Sequence, residues 1–358
     1  MSILVLSAHN VAALTGSIPA AAFCTMLGKT MAAVSQAAPS PAPPAPIQNP
    51  LRIATESDLH TNLYMPSRLT TSEGPATAIK VVAVPKPNCS LPGLPATTLL
   101  FDESTGLTRA VVNSGELTGI RTAAASALAT KILADPSSAS LVLFGSGTQA
   151  YYHARLILEL FPSVTAATFV VRSLNSRTTA LVERVQQEFG KVKVEAVAAD
   201  KTAEVIRTAD IVCTCVPSTK PLFKEDDLKE NVHINAIGSY KPTMFEFPPS
   251  LISPSASPDG PKIPTILVDS AEACLSESGE LIAAQIAHSS ILEIGTLLDG
   301  EGAVKTDAET QKKFRELRKK GRSLFKCVGV GGMDVAITRL VVEEGEKRGV
   351  GTRVPFLE

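Results

Sequence analysis

Tryptophan is absent from this chain and tyrosine occurs four times, so it offers no aromatic platform on which nucleic-acid bases could stack. Excess charge is missing as well. Lys and Arg number 34 against 35 Asp and Glu, a formal net charge of -1, which removes the electrostatic case for nucleic acid or an anionic membrane as a partner. No uninterrupted apolar run reaches the roughly 20 residues of a membrane span. The apolar N-terminal stretch has no basic residue before it and is interrupted by polar ones, a poor signal peptide. The segment Val354-Pro355-Phe356-Leu357-Glu358 carries no lipid-anchor or peroxisomal signal. A cytoplasmic location is the expectation. The five histidines do not fall at ligand spacing, and Cys24, Cys89, Cys213, Cys215, Cys274 and Cys327 are too scattered for a disulfide framework, so no metal site is expected. Cys213 and Cys215 sit in an apolar run that reads as a buried strand.

What is present is a chain of 358 residues, 44% hydrophobic, enough for two packed domains. Residues 1–7 predict a strand and 17–35 a helix. The Pro/Ala-rich stretch 37–50 predicts a surface loop, because proline lacks the donor and fixes φ. Residues 79–84 and 97–102 are β-branched or apolar runs, and a turn at 103–106 followed by 108–112 makes a hairpin pattern. Residues 118–134 form an Ala-rich helical stretch ending at Asp135-Pro136. Strands then alternate with helices: strands at 141–144, 168–171, 192–197, 210–216, 233–237 and 265–268, with helices between the earlier ones. That alternation predicts βαβ units and a parallel sheet. The charged helix at 307–322 and the tail beyond it are expected to leave this sheet, which is already complete, and return to the first domain.

The apolar strand Leu141-Val142-Leu143-Phe144 runs into Gly145-Ser146-Gly147-Thr148-Gln149-Ala150 and then into a helix. A lone G-x-G-x-x-A is weak evidence, but strand before and helix after is the context a dinucleotide loop needs. Gly145 permits the turn, Gly147 lets the backbone approach a pyrophosphate, and the helix N-terminus offers free N–H groups. At the end of the second strand, where NAD sites place an Asp or Glu, stands Val171-Arg172-Ser173-Leu174-Asn175-Ser176-Arg177. Two guanidinium groups and no carboxylate suit a 2′-phosphate, so NADP(H) is favoured and NAD(H) stays possible. The alternative is that Arg172 and Arg177 are solvated surface residues.

Several motifs, in order, resemble the ornithine cyclodeaminase/mu-crystallin family. Arg121-Thr122-Ala123-Ala124-Ala125-Ser126-Ala127-Leu128-Ala129 resembles its R-T-A-A-x-S-A-L-A element. Met65-Pro66-Ser67 resembles its M-P turn, Lys80-Val81-Val82 its K-x-V strand, and Gly93-Leu94-Pro95-Ala96-Thr97 its G-L-P-T segment. Gly238, Pro242 and Glu246 match in part the G-x-x-x-P-x-x-x-E-L region. Ser323-Leu324-Phe325-Lys326-Cys327-Val328-Gly329 is similar to T-L-F-K-S-V-G, with Asp334 after it. The resemblance implies an α/β fold: a Rossmann-type doubly wound parallel sheet at 121–322, and a second α+β domain for substrate binding and dimerisation at 1–120 plus 323–358. It also implies a homodimer acting on a small amino acid, keto acid or imine.

Carried over by position, Arg52, Lys80 and Arg121 form a carboxylate clamp, with Val328 beside the substrate. Forked arginine donors and a lysine point charge suit a planar carboxylate; structural ion pairs or snorkelling cations are the other reading. The expected nucleotide contacts are Thr97, Arg121, Thr122, Gly145, Gly147, Thr148, Gln149, Arg172, Ser173, Asn175, Arg177, Val216 and Gly238. Cyclodeaminases use a carboxylate near the M-P turn and an Asp in the G-x-x-x-P segment; Leu63 and Tyr240 stand there instead. Leu63 cannot exchange a proton, and Tyr240, with an ordinary pKa of about 10, is a poor base. That disfavours ornithine cyclisation and fits NAD(P)-dependent reduction of an imine or ketimine of an α-keto acid, or oxidation of the matching amino acid. Lys80 is the first candidate for proton donor and Tyr240 the second, with Glu56 and His60 nearby. A cyclodeaminase using catalytic NAD and a non-catalytic NADPH-binding crystallin-like protein remain the alternatives.

Overall fold

A computed structural model describes residues 2–36, 45–50, 52–86, 88–89, 93–255, 260–318 and 321–356. The chain divides into two units: residues 1–121, 298–303 and 330–358 form the first, and 122–297 with 304–329 form the second.

The first unit begins with β1 (Ser2–Leu6), α1 (Ala8–Ser17) and α2 (Ala20–Gln36). Ser7 caps α1, its hydroxyl accepting from the Asn10 N–H while the Asn10 side chain accepts from the Ser7 N–H. The helix expected at 17–35 forms as α2, and α1 precedes it as a helix not expected from the sequence; the two are separate because Ile18 precedes Pro19 and is driven to an extended conformation, with φ -83° and ψ 125°. There follow β2 (Ile47–Gln48), β3 (Ile53–Glu56), β4 (His60–Thr71), β5 (Gly74–Pro85), β6 (Ala96–Phe101) and β7 (Thr108–Asn113). Of the expected loop at 37–50, residues 37–44 lie outside the described residues, while 47–48 are strand.

Met65-Pro66-Ser67, expected to be a turn, lies inside β4. The outer neighbours of β4 leave a gap there: β3 pairs with it as far as Tyr64 and β2 resumes at Arg68. A proline is tolerated where the outer ladder is interrupted. Buried and half-buried positions alternate along β5, with Ala76, Ala78, Lys80 and Val82 on the buried face.

The helix α3 (Leu117–Leu133) carries the chain from Arg121, the last residue of this segment of the first unit, to Thr122 in the second. The second unit contains β8 (Ser140–Phe144), α4 (Thr148–Leu160), β9 (Ala166–Val171), α5 (Ser176–Glu188), β10 (Lys193–Ala198), α6 (Thr202–Ile206), β11 (Ile211–Thr214), β12 (His233–Ala236), β13 (Ile266–Val268), α7 (Ala271–Glu277), α8 (Gly279–Ala283), β14 (Ile291–Glu293), α9 (Ala308–Leu317) and β15 (Ser323–Lys326). The strands pair in the order β10-β9-β8-β11-β12-β15-β13-β14, every pair parallel.

The tail from residue 323 was assigned to the first domain, yet β15 inserts between β12 and β13. All four of its residues are buried, as a strand covered on both faces of a parallel sheet requires. The return to the first unit starts at Val330, with α10 (Gly331–Arg348) packing on α2, β4 and β5, and β16 (Thr352–Pro355) pairing with β1. The first unit's sheet runs β16-β1-β7-β6-β5-β4-β2, with β3 also on β4. Among the described residues no single helix is long and apolar enough to cross a membrane.

Candidate functional site

In the second unit, three loops meet at the carboxyl ends of the adjacent strands β8, β11 and β12, where open α/β sheets take their ligands. Gly145 has φ +109°, and a Cβ there would lie 2.7 Å from Val216 Cγ1 and 3.5 Å from the Cys215 carbonyl oxygen. Only glycine meets both demands. At Gly238 a Cβ would collide with the Val216 carbonyl oxygen and with Glu246 Oε1. Gly145, Val216 and Gly238, three of the expected nucleotide contacts, thus lie next to one another.

Gly147 is the N-cap of α4 and makes no side-chain cap, the kind of helix start that presents backbone N–H groups to an anion. Thr148 and Gln149 begin that helix, and Ala150 is fully buried against the sheet. Arg177 reaches this loop: its Nε donates to the Ser146 carbonyl oxygen at 3.1 Å, and a Cβ on Gly147 would stand 3.2 Å from its Nη2. Arg172 and Ser173 are exposed just after β9. Asn175 is engaged as the N-cap of α5, its side-chain oxygen accepting from the Thr178 N–H at 3.1 Å. Tyr240 is half-buried beyond Gly238, with Lys241 Nζ 5.8 Å from its ring centre. Val328 follows β15, and its N–H donates to Asp269 Oδ1 at 3.4 Å.

The first unit holds the cations. Lys80 (3% exposed) on β5, Arg121 (8%) on α3 and Asp334 (5%) in the first turn of α10 are all buried. Lys80 Nζ donates to Asp334 Oδ1 at 3.0 Å and to Thr118 Oγ1 at 2.5 Å. Arg121 Nε lies 3.3 Å from the same Asp334 oxygen without an aligned hydrogen bond, and Nη1 donates to the Met333 thioether at 3.4 Å. Two buried cations therefore share one carboxylate, and a guanidinium with five donors spends one of them on a weak sulfur acceptor. Burial drives the Lys80 ammonium below its ordinary range, with Arg121 adding to the shift and Asp334 opposing it. For Asp334, burial pushes upward, but Lys80 and Arg121 outweigh it and hold the carboxyl below its ordinary range.

Arg52 is exposed and immediately precedes β3. Ile53 pairs with Tyr64 and Met65 with Lys80, so the register continued by one step brings Arg52 level with Lys80. Thr97 lies on the other face of β6: Lys80 pairs with Thr98, and cross-strand partners share a face. Leu63 is half-buried and pairs with Val82. Glu56 is bonded to the Thr61 hydroxyl and paired with Lys86, while His60 Nε2 lies 3.2 Å from Cys89 Sγ. Thr122 is buried in α3.

Sequence reasoning missed the role of Asp334, which it had only as a motif end, and of the buried acids Glu246, Asp269 and Glu280. The signals were the motif matches at Glu246 and Asp334, the latter two residues behind a glycine pair and the fourth residue of α10.

The family profile of the ornithine cyclodeaminase/mu-crystallin proteins matches residues 23–348. This chain belongs to that family. Among its members, the Delta(1)-pyrroline-2-carboxylate reductase of Bacillus cereus is 30% identical over 331 residues, covering 87% of this chain and 89% of the relative. The ketimine reductase mu-crystallin of Rattus norvegicus is 30% identical over 258 residues, covering 72% and 71%. The solved Delta(1)-pyrroline-2-carboxylate reductase of Thermococcus litoralis, in complex with NADH and L-proline, superimposes with a TM-score of 0.78 at 25% identity, covering 98% of this chain and 100% of that one. The family fold and the Rossmann-type sheet expected from the sequence are thereby shown.

Proposed function

We propose that this family member is an NAD(P)-dependent reductase of an imine or ketimine of an α-keto acid, of the Delta(1)-pyrroline-2-carboxylate kind. The observation that carries the reading is the buried Lys80–Arg121–Asp334 group, whose two cations exceed its one anion. Such an imbalance is costly unless an anionic group completes it, and a substrate carboxylate does so with forked geometry.

The residues of the second unit fit a dinucleotide: a glycine cradle that tolerates no Cβ at Gly145, an uncapped helix start at Thr148 and the Arg177 guanidinium over the loop. When bound, the nicotinamide supplies a hydride to the imine carbon. The chain's own residues orient the acid and supply the proton. Arg121 holds the carboxylate, and Lys80 Nζ carries the proton that the substrate nitrogen takes up, so that C=N becomes CH–NH with hydride and proton both accounted for. A lysine held below its ordinary range gives up that proton more readily. Asp334 keeps Lys80 oriented while doing so. Leu63 and Tyr240, in place of the two carboxylates of cyclodeaminases, set the reading against ornithine cyclisation. NADP(H) over NAD(H), a homodimeric assembly and a cytoplasmic location are the finer parts of the same proposal.

The test is oxidation of NADPH and of NADH with five- and six-membered cyclic imino acids and with keto acid–amine pairs. Turnover on a cyclic imino acid, lost in Arg121→Ala, is the expected result. Ammonia and proline from ornithine without net change in the nucleotide would sink the reductase reading in favour of the lyase.

A further inference from the structure

The second unit contains a charged cluster that the proposed reaction does not use. Glu246, Glu280, Lys326 and Ser239 are all fully buried. Glu246 Oε2 accepts from the N–H of Gly238 at 2.7 Å and of Ser239 at 2.9 Å. Lys326 Nζ donates to the Ser239 carbonyl oxygen and to its hydroxyl, both at 2.7 Å, and lies 3.6 Å from Glu246 Oε2. Glu280 accepts from the hydroxyls of Ser239 and Ser278 at 2.7 and 2.8 Å, and from the Glu246 N–H at 2.6 Å. Both N–H groups of the 238–239 segment, the Ser239 carbonyl and its hydroxyl are thus tied to three buried charges. Glu246 Oε1 is buried too, with no hydrogen-bond partner among the described residues.

A structural ion pair has no need of this arrangement. Two buried acids and one base carry a net negative charge, where apolar residues of the same volume are often at least as stable. What the arrangement does secure is one backbone conformation at the carboxyl edge of β12, close against Val216 and two strands from the glycine loop. We infer that Glu246 is a positioning residue for the nucleotide, its carboxylate fixing the Gly238–Ser239 backbone in the conformation that receives the dinucleotide. This rests on the nucleotide reading above and adds to it a residue that touches neither nucleotide nor substrate.

The charge state of Glu246 makes the role testable. Burial pushes its carboxyl up to about 7, with Glu280 adding to the shift and Lys326 and the Ser239 N–H opposing it. The groups facing it are Lys326 from β15, Glu280 from α8 and Cys215 after β11, whose thiol burial and the neighbouring charges raise well above its ordinary range. Next to Lys326 in turn, Cys274 Sγ donates to its carbonyl oxygen at 3.7 Å and to Asp269 Oδ1 at 3.3 Å. The ionised carboxylate accepts both N–H groups in full. Protonation weakens the acceptor and loosens the segment, so nucleotide affinity falls as pH drops through about 7.

The experiment is fluorescence titration of the intact protein with NADPH between about pH 6 and 8.5, in wild type and Glu246→Gln. Taking the ratio of the two dissociation constants at each pH cancels the titration of the nucleotide's own phosphate. Weakening one charge-assisted contact pair predicts a ratio near one at the acid end, rising to about tenfold at the alkaline end. Should the Gln variant not fold, Glu246→Asp is expected to weaken binding across the range while keeping the pH dependence. A ratio that does not change with pH, in a protein that binds NADPH, overturns this inference alone; wild type that binds neither NADPH nor NADH overturns the nucleotide reading with it.

Discussion

Two buried charge clusters in this chain have opposite composition. In the first unit Lys80 and Arg121 share Asp334; in the second Lys326 lies beside Glu246, and Glu280 joins them through the Ser239 hydroxyl. The second cluster compensates its excess acid internally. Backbone N–H groups and hydroxyls donate to the two carboxylates, and burial pushes the Glu246 carboxyl up to about 7. The first cluster makes no such adjustment at Arg121, whose Nη1 faces a thioether. The contrast separates two kinds of buried charge: one whose hydrogen bonds are nearly complete, proposed above to hold backbone in place, and one whose donors are under-used, proposed above to receive a substrate carboxylate.

The strongest test of that distinction is Lys80→Met, which keeps the volume and removes the proton. If the clamp is catalytic, kcat falls by about 10²–10⁴-fold, the range for a lost general acid, while NADPH affinity is unchanged. In wild type, the rate is expected to decline as pH rises through the Lys80 pKa, at a point below the ordinary lysine range because burial depresses it. Next in size, Arg121→Ala removes the forked anchor and is expected to lower kcat/KM by about 10²-fold, mostly through KM for the imino acid. Neither variant should alter the pH ratio predicted for Glu246→Gln. A change in that ratio would mean the two clusters are not independent.

The second unit was the more legible of the two. Gly145 and Gly147 stand between an apolar strand and a helix, and that local context marks the loop in the sequence. For Arg177 the sequence favours a cofactor contact over a solvated surface residue, and its Nε donates to the Ser146 carbonyl oxygen of the loop. The first unit was read through resemblance, because Lys80, Arg121 and Asp334 come from β5, α3 and α10, far apart in sequence, and no periodicity joins them. Thr97 shows the limit most sharply: a step of one residue in β6 decides which face a side chain takes, and register is a property of the pairing, not of the segment. β15 was misplaced for a similar reason. Its four buried residues suit any sheet, and nothing local says that the slot between β12 and β13 is open.

Stability at different pH sharpens the contrast further. Asp334 is held below its ordinary range in the folded protein, so it contributes stability that is present above its unfolded pKa of about 4 and lost as pH falls through the folded value. Asp334→Asn leaves two buried cations unmatched and is expected to cost about 3–5 kcal/mol at neutral pH, read by denaturant unfolding, with the difference from wild type shrinking in acid.

Glu246 should show the opposite sign and a smaller effect. Its folded pKa, about 7, lies above the unfolded value. The folded state then keeps a proton that the unfolded state releases, and stability falls as pH rises from about 4.5 to about 7. Glu246→Gln removes that dependence. The difference between variant and wild type should therefore move in favour of the variant across this window, by no more than about 1.4 kcal/mol for each pH unit. Unfolding curves at three pH values measure it. Parallel pH profiles for the two proteins would mean that Glu246 titrates in its ordinary range, and the internal compensation that distinguishes the acid cluster from the clamp would have to be sought in Glu280 instead.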